Sequence, residues 1–320
     1  MTDNGGRAGP VEHGFPHLPL VRASLTALYR GLSAPGVRAY GTSFAAADAA
    51  FGDGDDLHLG AQRVAAAMVR QLRLPGPDAR MIVSFRPMEQ AAVVELAAGP
   101  EYFIEVNDRF RRHRRDLAAA LAHEVTHVLL HRLDLGFGAA GDDEILTDTA
   151  AAYLGAGWLL LDAYRQDALT HQKLGYLTPE EFGYVLAKRA AVMGEDPSPW
   201  FTSPRAYEAY RAGAAVARAD WRRPPLAGAG PWQRRRYARL RRAAAAGGGD
   251  GGGGGSGSGS GLGGGLGSGG TGGDGAAYRF DAAGRVTFAC PVCWQRLRVP
   301  AGGPVQVRCG VCDTVLACDT

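Results

Sequence analysis

The segment His123-Glu124-Val125-Thr126-His127 carries the residue types of a metal-dependent hydrolase. On a helix, residues four apart lie on one face, so the two imidazoles can converge on a single ion. Glu124 would then lie beside the ion, where its carboxylate can take a proton from a metal-bound water. The pattern therefore predicts a catalytic zinc site with His123 and His127 as ligands and Glu124 as the catalytic base.

Such a site needs a third protein ligand. His131 follows four residues later, but eight helical residues place it about 12 Å from His123 along the axis, too far to share an ion. Glu144 and Asp148 are four apart on the next predicted helix, hence on one face. One carboxylate can bind the ion while the other accepts a hydrogen bond from a ligand histidine and orients its ring. The spacing alone leaves open which carboxylate does which.

An HEVTH segment followed, after a short connection, by a Glu-x-x-x-Asp helix resembles the gluzincin zinc peptidases, the thermolysin-like class. The resemblance covers about residues 58–165. It implies that His123, His127 and Glu144 hold the catalytic zinc. It further implies that Glu124 is the base and that Asp148 supports His123, although the reverse assignment of the two carboxylates stays open.

The chain departs from that family in two ways. Glu144 follows His127 by only 17 positions, which implies a minimal zincin rather than a full peptidase. The distal histidine with which thermolysin-like enzymes steady the oxyanion has no counterpart that we can identify. Tyr153 is a candidate donor in its place, with a role as a core tyrosine as the alternative.

A second metal motif lies near the end of the sequence. Two Cys-x-x-Cys pairs, Cys290/Cys293 and Cys309/Cys312, have fifteen residues between them, a spacing that can enclose one tetrahedral zinc. This segment resembles the zinc ribbons. Four thiolates fill the coordination sphere, so this zinc is expected to be structural, whereas the first is expected to be catalytic. Cys318 is left over.

The elements that must position these groups combine helices with a few short strands. Apolar spacing predicts helices over 20–32, 58–74, 116–135 and 142–164, and strands over 81–85, 91–96 and 102–106. Gly136 follows the third helix, where a left-handed cap would be expected. The expected fold class is α+β: a minimal zincin with a small antiparallel sheet, in which Tyr102–Val106 is the edge strand that pairs with substrate.

Composition sets the domain organisation of the 320 residues. Hydrophobic residues make up 46% and charged residues 21%, an ordinary globular balance, but 20 of the 29 residues in Gly247–Gly275 are glycine. The predicted organisation is a disordered tail (1–18), a zincin-like metallopeptidase domain (19–165), a helical extension (166–246), a flexible Gly/Ser-rich linker (247–276) and a zinc ribbon (277–320). Residues 204–242 hold eleven arginines and two acidic residues, which form a basic arm.

These features lead us to expect a zinc metallopeptidase that hydrolyses peptide bonds of a peptide or protein substrate. Its ribbon would bind substrate or another partner. The alternative is a non-catalytic regulatory or nucleic-acid-binding protein that uses the ribbon and the basic arm. The chain also resembles the SprT-like proteases, which is a third possibility. Glu144 argues against that group, because its members usually have a histidine as this ligand.

The longest apolar run, Ala150–Leu161, is shorter than the ~20 residues of a membrane span. Because residues 1–10 also lack a secretory-signal pattern, we expect a cytoplasmic protein without membrane contact.

Overall fold

The computed structural model describes residues 11–51, 54–75, 79–166, 171–247 and 278–320. The chain divides into two compact units, residues 1–218 with 292–294 and residues 219–291 with 295–320. Almost all of the predicted glycine-rich linker lies outside the described residues. The fold class is α+β, as predicted. No helix within the described ranges is both long enough and apolar enough to cross a membrane.

The first unit is mainly helical. Its helices are α1 (Leu18–Arg38), α2 (Ala46–Ala49), α3 (Leu57–Leu72), α4 (Leu117–Arg132), α5 (Ala140–Ala151), α6 (Gly157–Asp162), α7 (Pro179–Met193) and most of α8 (Pro204–Asp220). Its strands are β1 (Arg80–Arg86), β2 (Ala92–Val94), β3 (Glu101–Asn107), β4 (Arg165–Gln166) and β5 (His171–Gln172).

Helix α4 is the central element of this unit. It packs against α3, α5 and β2. Four of its alanines are buried, and their small side chains permit close approach of these neighbours: Ala118, Ala119, Ala120 and Ala122. The helix ends at Arg132, and the left-handed residue that follows is Asp134 (φ 51°). The expected left-handed cap at Gly136 is therefore wrong.

The three-stranded sheet differs from the expected one in both direction and order. Its order is β1-β3-β2, with β1 parallel and β2 antiparallel to β3, so the sheet is mixed. Because β3 is paired on both sides, Tyr102–Val106 is a central strand. The prediction that it is the edge strand for substrate is therefore wrong, and β2 is the edge strand that packs on α4.

The helix expected over 142–164 is broken in the middle. A π-helical turn (Ala152–Ala156) separates α5 from α6, and within it Gly155 has φ 116°. A side chain at this position would be strained by that φ and would contact the backbone of Ser43 at 3.1 Å. The break redirects the chain so that Trp158 lies against the segment around Phe44, whose carbonyl accepts a hydrogen bond from the indole at 2.9 Å.

The start of α7 also positions the segment before α1. Thr178 and Glu181 form the capping box that the sequence indicates. The Glu181 carboxylate additionally accepts from the His17 amide at 2.5 Å, and Thr178 donates to the Gly14 carbonyl at 2.7 Å. The part of the expected disordered tail that is described, residues 11–18, thus has defined contacts.

The second unit combines the remaining helix with five strands. These are α9 (Pro231–Gly247), β6 (Tyr278–Phe280), β7 (Arg285–Ala289), β8 (Arg296–Pro300), β9 (Pro304–Arg308) and β10 (Val315–Asp319). Strands β6, β7 and β8 form one antiparallel sheet, and β9 and β10 form another. Tyr237 of α9 contacts the rings of Tyr278 and Phe280, with centroids 4.8 and 5.2 Å apart.

Candidate metal centres

Helices α4 and α5 bring three of the predicted ligands together. Nε2 of His123 lies 3.0 Å from Nε2 of His127 and 3.1 Å from Oε2 of Glu144, and the His127–Glu144 distance is 3.3 Å. Tetrahedral zinc with bonds of about 2.0–2.1 Å holds its ligand atoms roughly 3.3–3.4 Å apart. The three atoms are therefore spaced closely enough to bind one ion. Among the described residues, the group of ligand atoms that could share one ion contains His123, His127 and Glu144 and does not contain His131.

Asp148 supports His123 instead of joining the group. It is fully buried, and its carboxylate lies 2.8 Å from Nδ1 of His123. The same carboxylate accepts from the amides of Tyr176 and Leu177, the latter at 3.0 Å. A carboxylate oxygen accepts hydrogen bonds, so Nδ1 of His123 donates to Asp148, and Nε2 is the ring atom that faces Glu144.

The second imidazole is oriented in the same way by a threonine. The Thr147 hydroxyl donates to the Asp143 carbonyl at 2.8 Å and lies 3.2 Å from Nδ1 of His127, from which it can accept. Both histidines thus direct Nε2 toward Glu144. The sequence reasoning did not identify Thr147, although it lies three residues after Glu144, on the same helical face.

Electrostatics indicate that this group favours positive charge. Burial lowers the pKa of His123, but hydrogen bonds and charges from Asp148 and Glu144 outweigh it, so the pKa lies well above its usual value. Burial raises the pKa of Glu144, but hydrogen bonds from the two histidines lower it to about 2. A site that keeps the Glu144 carboxylate ionised and raises the pKa of the His123 imidazole is suited to a cation.

Glu124 lies beside this trio and is only 5% exposed. Its pKa is raised by burial, lowered by the charges of His123 and His127, and raised again by that of Glu144, with a net upward shift. It also accepts a hydrogen bond from the Val94 backbone. The catalytic base that the sequence predicts therefore lies between the trio and the edge strand β2.

Tyr176 is a second residue at this site that sequence reasoning missed. Its ring stacks on His123, with centroids 6.0 Å apart and planes at 27°, and it is 39% exposed. Burial and the nearby charges of Glu144, Asp148 and Glu124 raise the pKa of its phenol to about 12, so the phenol stays protonated at neutral pH and can donate a hydrogen bond. The preceding residue, Gly175, has φ 84°, and a Cβ atom at that position would lie 2.6 Å from the Asp148 carboxylate.

Tyr153 is placed elsewhere than its candidate role requires. It is fully buried in the π-helical turn after α5, and its hydroxyl shares a 2.9 Å hydrogen bond with that of Tyr29. A donor enclosed in the helical core is poorly placed to meet a substrate. The placement matches the alternative that the sequence left open, a core tyrosine.

The four cysteines of the second motif form one cluster. Their sulfurs lie within 4.8 Å of one another, all four residues are buried, and none forms a disulfide. Sγ of Cys290 is 3.6 Å from Sγ of Cys312, close to the roughly 3.8 Å expected around tetrahedral zinc with bonds of about 2.3 Å. The cluster confirms a zinc-ribbon-like group that could hold a metal.

The two Cys-x-x-Cys turns have the same backbone geometry. The amide of Cys290 donates to the carbonyl of Gln295 at 2.9 Å, and that of Cys309 donates to Thr314 at 2.9 Å. The residue after each second cysteine has a positive φ, 61° at Trp294 and 60° at Asp313. Two equivalent turns thus present two sulfurs each to one central point.

Asp148→Asn tests how the His123 ring is held. The two carboxylate oxygens of Asp148 have separate partners, the His123 ring and the backbone amides of Tyr176 and Leu177. A carboxamide has only one accepting oxygen, so if that oxygen keeps the two backbone contacts, its NH2 group faces the ring and cannot accept from Nδ1. We expect the affinity of the trio for zinc to fall about 10–100-fold. Competition with a fluorescent chelator measures the affinity, and Asp142→Asn, on the exposed first turn of the same helix, should leave it unchanged. Equal affinities in the two variants would contradict the assignment.

No protein-family model, no curated protein and no solved structure matches the chain. The gluzincin resemblance therefore depends on the motif residues themselves.

Proposed function

We propose that the chain is a zinc-dependent peptidase, with the catalytic ion held by His123, His127 and Glu144. The observation that carries the proposal is the convergence of these three ligand atoms beside a buried glutamate. A zinc ion bound there supplies Lewis-acid chemistry, since it polarises a carbonyl and lowers the pKa of bound water to about 7. The second ion, in the four-cysteine cluster, would be structural because thiolates fill its coordination sphere.

The substrate backbone would be held by β2. This strand lies at the edge of the sheet, and its Val94 backbone hydrogen-bonds the Glu124 carboxylate. An extended peptide that adds to this edge would place its carbonyl groups next to the base. Main-chain pairing of this kind gives affinity with little sequence selectivity.

Glu124 and Tyr176 would divide the proton chemistry. Glu124 accepts the proton of the attacking water and returns it to the leaving amine. Its raised pKa brings it nearer to the operating pH, which suits such a base. Tyr176 remains protonated and would donate a hydrogen bond to the oxygen that becomes negative in the transition state.

A Tyr176→Phe variant tests this role. Phenylalanine keeps the ring that stacks on His123 but removes the hydroxyl, so we expect kcat to fall about 10²-fold with little change in KM or zinc content. Steady-state kinetics on a cleaved peptide measure both constants. Tyr207→Phe, on the exposed face of α8, is the matched control. A Tyr176→Phe enzyme with unchanged kcat would remove the phenol from the mechanism.

Cleavage of a peptide library by the zinc-loaded chain, followed by mass spectrometry, tests the proposed function itself. The alternative, a nucleic-acid-binding protein, is supported by exposed arginines of α9, namely Arg235, Arg236, Arg239 and Arg242. Absence of cleavage together with DNA or RNA binding that weakens steeply with salt would select that alternative.

A further inference from the structure

The first unit contains a cavity of about 630 Å³ that the peptidase proposal does not use. It lies among α2, α6, the segment before α4 and the turn at Trp200. Its lining includes none of His123, His127 or Glu144. Small-molecule sites typically measure roughly 300–1,000 Å³, so the cavity is large enough for a drug-sized ligand.

Much of the cavity wall is aromatic or aliphatic. Trp158 and Trp200 are both part of it, with ring centroids 5.8 Å apart and planes at 43°. The Trp158 indole is fixed by its hydrogen bond to the Phe44 carbonyl. Phe51 and Leu159 extend this apolar wall. A wall of this kind favours a flat apolar body, because aromatic rings pack well against indole faces.

The two acidic residues of the lining are already neutralised. Asp116 receives two hydrogen bonds of 2.7 Å from the Arg165 guanidinium. Asp162 pairs with Arg115 at 2.8 Å and also accepts from the backbone and hydroxyl of Thr202. Neither carboxylate is left to repel an anion.

Arginines supply the remaining charge. Arg112, Arg114 and Arg115 all line the cavity. Arg114 donates to a neutral group, the Asp55 carbonyl at 2.8 Å, and within the described ranges no carboxylate pairs with Arg112. With Arg165 included, four guanidinium groups thus lie near only two carboxylates, those of Asp116 and Asp162. An unpaired guanidinium at the mouth of an apolar cavity is suited to bidentate recognition of a carboxylate.

We propose that this cavity binds a small aromatic carboxylate, with its ring against Trp158 and Trp200 and its carboxylate on Arg112 and Arg114. The arrangement requires both halves of the ligand. A neutral aromatic molecule lacks the ion pair, and a small aliphatic anion lacks the packing. The proposal does not depend on the metal trio or on peptidase activity.

Isothermal titration of the full-length, zinc-loaded chain with 2-naphthoate tests this inference. We expect one saturable site, with binding of 2-naphthalenemethanol and of acetate at least about ten-fold weaker, since the first lacks the charge-assisted hydrogen bond and the second lacks the packing against the indole rings. The same titration on a His123→Ala variant separates the cavity from zinc, because a carboxylate can also bind a metal ion. Binding to the cavity should survive that substitution.

Two variants locate the ligand. Arg112→Gln, at an exposed position, should weaken naphthoate binding about ten-fold and leave the weak binding of naphthalenemethanol unchanged. Trp200→Leu should weaken both. Arg235→Gln, an exposed arginine on α9, is the control and should change neither. The inference is overturned if naphthoate does not bind, if it binds only while His123 is present, or if Arg112→Gln and Arg235→Gln bind it equally.

Discussion

A Glu124→Gln variant is expected to keep both metal ions and to lose peptide hydrolysis, by at least about 10²–10⁴-fold. Glutamine preserves the size of the side chain, and its amide oxygen can still accept the hydrogen bond from Val94. What it cannot do is take a proton from the attacking water. The substitution therefore separates the chemistry of the base from the geometry of the site.

The measurement is the initial rate of cleavage of a library-derived peptide, together with zinc content by plasma mass spectrometry. Glu89→Gln, an exposed glutamate before β2, is the matched control and should cleave at the wild-type rate. Cleavage that persists in Glu124→Gln at the wild-type rate would rule out this residue as the base, whichever residues hold the metal.

The second large effect is expected in the ribbon. Cys309→Ser should release one zinc per chain and unfold strands β6 to β10, because a segment of 43 residues buries too little apolar surface to fold without its metal. In nuclear magnetic resonance spectra, the dispersed amide signals of 278–320 should collapse to random-coil positions. The buried signals of α4 should remain, since its core is built from residues of the first unit.

Cys318→Ser provides the control for that experiment. Cys318 is also buried and lies in β10, but it is not a member of the four-cysteine cluster. Its replacement should leave the zinc content and the dispersed spectrum intact. A Cys309→Ser chain that keeps a folded ribbon would show that metal does not stabilise this segment.

The sequence predicted which side chains come together as possible metal ligands, because the geometry of both groups is local. Helical spacing alone places His123 and His127 on one face, and it does the same for Glu144 and Asp148. Once α4 packs against α5, the histidine pair and the carboxylate pair can meet in only a few arrangements. The paired Cys-x-x-Cys turns are equally local, and for that reason the four-cysteine cluster could be predicted from spacing.

What the sequence could not predict depends on contacts between distant segments. Strand order is one case, since nothing within Tyr102–Val106 shows that β1 returns to pair with it in parallel. Tyr176 is another, because it reaches His123 through a loop held by the buried Asp148, 28 residues earlier in the chain. The break at Gly155 is a third, since it depends on packing against Ser43.

Zinc content is the most direct test of the central claim, that His123, His127 and Glu144 bind one ion. Purified wild-type chain should contain two zinc ions, and a His123→Ala/His127→Ala variant should contain one, with its ribbon spectrum unchanged. Two ions in the double variant, or one in the wild type with all four ribbon cysteines occupied, would contradict the account.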